Sequence, residues 1–100
     1  MRGSYRMMDW EIEKWTGIIF RDIEKLLCGV EKEIKYTECN LCAYNIENIL
    51  ECLDYVYVEE DINHHDFWFF YENPHTEVKI TVFTNVDTAE LTMYLTEVEK

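Results

Sequence analysis

The residues that could carry chemistry are few. Cys39-x-x-Cys42 heads them, followed by Cys52, the pair His64-His65 and the single His75. A dithiol at the start of a helix is a redox arrangement, because the helix N-terminus lowers thiol pKa. Glu38 beside it works in the opposite direction. A thioredoxin-like chain would also need a following βα unit, where this sequence reads as strands. Cys39, Cys42, Cys52 and one of the three histidines could supply four zinc ligands. Their spacing matches no common zinc pattern, and Cys52 falls at helical spacing with apolar neighbours, as a core residue would. His64-His65-Asp66, near Glu59-Glu60-Asp61, could hold a cation or act as a base; the simpler reading is a polar loop between strands. Gly3, Gly17 and Gly29 are too scattered to cradle a phosphate, and no hydrolase nucleophile motif is present. The expectation is a protein with no metal, no cofactor and no catalytic site.

Charge is the stronger signal. The chain has 100 residues and a formal charge of −12. Residues 1–35 hold Arg2, Arg6, Lys14, Arg21, Lys25, Lys32 and Lys35, balanced by an equal number of acids. Residues 36–78 contain no lysine or arginine, yet carry Glu38, Glu47, Glu51, Asp54, Glu59, Glu60, Asp61, Asp66, Glu72 and Glu77. Acidity alone aids solubility. Like charges gathered in one segment also repel one another, whereas a merely solvated face mixes signs. Such a surface repels nucleic acid and anionic membrane and complements a basic protein.

These residues must be positioned by local structure. Ile12, Trp15, Ile19, Ile23, Leu26 and Val30 recur at three- and four-residue spacing, which predicts a helix over 9–28 with Asp9 as its cap and Gly29 as its stop. A second helix is expected behind Asn40, with Cys42, Ile46, Ile49, Leu50 and Leu53 on its inner side. Glu47, Glu51 and Asp54 then share another side. From Asp54 the period becomes two. Tyr55–Val58, Phe67–Tyr71, Val78–Phe83 and Ala89–Thr96 read as strands, with turns at Asn73-Pro74-His75-Thr76 and Asn85-Val86-Asp87. Val30–Tyr36 could add a short strand. The predicted architecture is α+β, with two N-terminal helices packed on one face of a four-stranded antiparallel meander.

Alternation sorts the strands into two surfaces. Val56, Val58, Val78, Ile80, Val82, Ala89, Leu91, Met93 and Leu95 form an aliphatic face for the helices. Tyr55, Tyr57, Thr81, Phe83, Thr92 and Tyr94 form the other, joined by either Trp68 and Phe70 or Phe67, Phe69 and Tyr71. With only two helices to cover two faces, the aromatic face reads as a binding or dimerisation surface, the alternative being aromatics that fill a thick core or line a dimer seam. Single-stranded RNA also stacks on such faces, but it needs flanking cations, and here Lys79 is nearly alone.

No run of apolar residues approaches the ~18 needed to span a membrane, and the basic start is not followed by a signal-peptide pattern. A cytoplasmic protein with reduced thiols is expected. The function expected from these patterns is that of a small acidic inhibitor masking a basic, nucleic-acid-binding surface of a partner. Anti-CRISPR and anti-restriction proteins, often of phage origin, work by this logic, and so do immunity proteins against nuclease toxins; the likeness is one of charge and size. The partner-binding residues expected are Glu47, Glu51, Asp54, Glu59, Glu60, Asp61, Asp66 and Glu72, with Tyr55, Tyr57 and Tyr94 as aromatic anchors. The alternatives are a homodimeric or complex subunit joined through the aromatic face, and a Cys/His metal or redox module.

Overall fold

A computed structural model of the chain describes residues 8–37, 43–88 and 90–96. It is α+β: α1 (Asp9–Leu27), β1 (Ile34–Tyr36), α2 (Ala43–Cys52), β2 (Val56–Asn63), β3 (Asp66–Glu72), β4 (Lys79–Asn85) and β5 (Leu91–Leu95). The sheet has five strands rather than four, in the order β1-β5-β4-β3-β2, with every neighbouring pair antiparallel. Strands β2 to β5 are the expected meander. The short segment Ile34–Tyr36 supplies the extra strand by pairing with β5. Otherwise β5 would present Leu91, Met93 and Leu95 at an open edge.

Both helices stop by the same device. After α1, the Val30 N–H bonds to the Lys25 carbonyl and Gly29 N–H to Leu26. After α2, Tyr55 N–H bonds to the Leu50 carbonyl and Asp54 N–H to Glu51. These are Schellman closures, which require one residue in the left-handed region. Gly29 takes it at φ 79° and Asp54 at φ 71°. Closure at Asp54 sends Tyr55 inward, against Leu50, where both are buried. At the other end of α1 the cap is Met8 rather than Asp9. Its N–H is held by the Glu11 carboxylate at 3.1 Å, which explains why Glu11 is tucked into the structure.

Registered partners across a ladder share a face. Ile34 and Tyr36, Leu91, Met93 and Leu95, Ile80 and Val82, and Phe67, Phe69 and Tyr71 therefore point to one side. There they meet Trp15, Ile19, Ile23 and Leu26 of α1 and Ile46, Ile49 and Leu50 of α2 in a single core. Helix α1 contacts β5 and α2 contacts β2. Val30, read as the end of the α1 stripe, lies past the helix and is exposed. One buried acid departs from the stripe pattern. Asp22 accepts a 2.5 Å hydrogen bond from the Tyr36 hydroxyl and approaches Lys25 at 3.8 Å, so the polar pair is satisfied where β1 meets α1.

Strand β2 runs longer than its alternation predicts. Glu59, Glu60 and Asp61, read as flanking a polar loop, lie within the strand, and His64-His65 form the two-residue turn. The ladder to the aromatic strand β3 overrides the poor strand preference of three acids. A bulge between Tyr57 and Glu59 shifts the pairing. Tyr57 therefore sits opposite Tyr71 on the helix side, and Val56 opposite Glu72 on the open side, the reverse of the expected order. Among the described residues no helix is long and apolar enough to cross a membrane.

The two αL residues that close the helices give opposite expectations for substitution. Gly29→Ala should lower stability by about 1 kcal/mol, because Ala resists positive φ. Asp54→Gly should leave stability unchanged or raise it by a few tenths of a kcal/mol. Urea denaturation midpoints of the two variants against the parent chain check this pair.

Candidate functional site

The sheet order turns the sequence's charge imbalance into a spatial one. Cation-bearing α1 and β1 lie over and beside β5, at one margin of the sheet, while the acid-rich α2 and β2 lie at the other. Strand β2 is the edge there, paired with β3 alone, and every one of its side chains is exposed.

Acids approach this edge from both sides of the sheet. Glu59 and Asp61 register with Phe70 and Trp68, which places them on the open face; Asp66 and Glu72 lie on that face at the two ends of β3. Glu60 registers with Phe69 and so lies on the helix side, within the field of Glu47 and Glu51 from α2. Two tyrosines sense that field. The Tyr57 hydroxyl donates to Glu60 Oε1 at 2.7 Å. This hydrogen bond, then burial, then the charges of Glu60, Glu47 and Glu59 push its pKa from 10.0 up to about 12. Tyr71, behind it with ring centroids 6.0 Å apart, is raised first by burial and then by Glu47, Tyr57, Glu51 and Glu60. Acids far apart in sequence thus converge on one edge.

Among the described residues no lysine or arginine forms an ion pair with them. The ion pairs among the described residues are Lys25–Asp22, Lys35–Glu33 and His65–Asp87. None joins a lysine or arginine to Glu47, Glu51, Asp54, Glu59, Glu60, Asp61, Asp66 or Glu72. Asp66 instead accepts a hydrogen bond from Asn85 Nδ2. Lys79 stands opposite Glu72 in register without forming an ion pair.

The other predicted site residues divide. Asp54 is exposed where α2 hands over to β2, at the mouth of a cleft of about 360 Å³ that Phe20, Leu53 and Tyr55 help to line. Tyr55 is buried, its pKa raised by that burial, and offers no anchor to a partner. Tyr94 lies on the open face in register with Thr81, three strands from β2 and roughly 14 Å from the acids across the sheet. The aromatic residues that do neighbour the acids on the open face are Trp68 and Phe70. Trp68 packs on Phe83 with centroids 5.3 Å apart, and no described helix covers this face. Alternation could not assign the sides of Phe67–Tyr71, because both are apolar; the register with β4 decides it.

The chemistry-bearing residues gather no site. Cys39, Cys42, Glu38 and Asn40 lie outside the described residues. Cys52 is exposed at the end of α2, not core. Among the described residues no group of three or more His, Cys, Asp or Glu side chains is placed to hold a metal. His64 occupies the hairpin turn at φ 57°, and His65 contacts Asp87 at 3.1 Å, joining that turn to the one between β4 and β5. His75 lies in the β3–β4 loop, where its N–H bonds to the Asn73 side chain.

Comparison with protein-family models, curated proteins and solved structures finds no match for this chain.

The Tyr57–Glu60 contact makes the acidic edge measurable. The tyrosine ionises near 10.0 when unfolded and near 12 when folded, so the contact's contribution to stability is fully present below pH 10 and is lost between about pH 10 and 12. Phenolate absorbance titrations of the parent chain and of Tyr57→Phe should differ by one group with a midpoint near 12. In a Glu60→Gln background that difference should move down toward 10.

Proposed function

We propose that this protein acts by binding: its acidic edge covers a basic surface on a partner protein, of the kind that otherwise holds nucleic acid. What carries the reading is the convergence of Glu47, Glu51, Glu59, Glu60 and Asp61 on the edge strand β2, where no lysine or arginine of the described residues pairs with them, while β1 and its Lys35 lie at the opposite margin. Carboxylates spaced along a strand present negative charge much as phosphates do. They steer association with a basic groove at a rate that falls with salt. A partner of this type is a nuclease, a restriction enzyme or a CRISPR effector, and the protein would serve as its inhibitor or, for a nuclease toxin, as its immunity protein. Val56, Val58 and Ile62, each about half exposed on β2, add apolar contact to the charge.

A second reading rests on a different surface. Trp68, Phe70 and Phe83 form an aromatic centre on the sheet face that no described helix covers. That face would suit a seam between two copies or with another subunit.

Capture from native extract at low salt should recover a nucleic-acid-binding protein whose hold on nucleic acid weakens when this chain is added. Replacing Glu59, Glu60 and Asp61 with lysine should slow association at least about tenfold and flatten its salt dependence. Stopped-flow association rates across a salt series check both. Undiminished binding by the triple variant would overturn the reading.

A further inference from the structure

We infer that β2 takes up an extended basic segment of the partner as a sixth strand of the sheet, an inference that rests on the reading just given. The first ground is backbone geometry. β2 pairs with β3 on one side only, and its other edge carries backbone donors and acceptors that no described strand meets. Beyond the bulge at Tyr57/Glu59 the ladder is regular from Glu59 to Asn63, so that stretch is straight enough to template a neighbour.

The second ground is charge, which selects the occupant. Edge strands are commonly blunted by charge against self-association. Here every charge on the strand is negative. Pairing with a second copy about Glu60 would set Glu59 against the copy's Asp61 and Glu60 against its own counterpart. Like charges directly opposite are destabilising. The arrangement that repels a copy attracts a strand of opposite sign. Lysines or arginines at alternate positions of an added strand would meet Glu59 and Asp61 on the open face. A basic residue between them would meet Glu60 and the field of Glu47 and Glu51 on the helix side. Ile62 supplies an apolar contact at the turn end. The occupant is therefore a run of basic residues in β conformation.

A short peptide with a central run of lysines flanked by valines is the probe, and a twin with every amide N-methylated keeps its side chains and charge but cannot form a ladder. The full chain should bind the first peptide at low salt and slow the exchange of the Glu59–Asn63 amides about tenfold. It should bind the methylated twin at least about tenfold more weakly. Equal binding of the two peptides would overturn strand addition while leaving charge-based masking intact. Binding of neither would overturn both.

Discussion

The ladder between β2 and β3 joins two strands that would not associate on preference alone. β3 is aromatic on both sides and needs its edges bonded and its faces covered. β2 carries three consecutive acids, which resist desolvation and repel one another. An edge position reconciles these demands. β3 gains its second neighbour, and Glu59, Glu60 and Asp61 keep their carboxylates in water. With β2 in the middle of the sheet, the same acids would be buried without partners; without β2, β3 would expose a flat aromatic edge. The position of the anionic surface thus follows from how the aromatic strand is satisfied.

Topology then separates the charges. α1 feeds β1, which returns to the far side of the sheet beside β5, and the chain crosses to build α2 and β2 at the opposite margin. The balanced charges of the first third stay with α1 and β1, where Lys25 meets Asp22 and Lys35 meets Glu33. The cation-free segment builds α2 and β2, and β2 forms the sheet margin opposite β1. The molecule therefore has a polar axis across its sheet, and the tyrosines at the acidic margin, Tyr57 and Tyr71, register it through their raised pKa values.

Most of the architecture was legible in the amino-acid sequence, because apolar spacing in α1, α2, β4 and β5 has one dominant period and one apolar side. Gly29 and the loop at Asn73-Pro74-His75-Thr76 also stood where expected, since their backbone needs are local. What stayed open or escaped depended on tertiary pairing. The short strand that the sequence offered within Val30–Tyr36 forms at Ile34–Tyr36, where β5 takes it as an edge partner, whereas the acids of β2 become strand because β3 offers a ladder. Tyr57 and Val56 exchange sides because a bulge changes parity, an event that leaves no mark in a run of residues apolar on both sides. Tyr55 was misjudged for a related reason: it belongs to the closure of α2, and the left-handed Asp54 turns it into the core.

The acids of the middle segment should produce one strong negative potential along β2. Paramagnetic relaxation of backbone amides by a cationic and an anionic nitroxide co-solute, compared residue by residue, maps that potential directly. The cationic probe should be strongly favoured at Glu59–Asn63 and beside Glu47 and Glu51, and much less so along the outer side of α1 at Lys14 and Arg21. A cationic preference spread evenly over the surface, or greatest somewhere other than β2, would mean that no such concentrated potential exists.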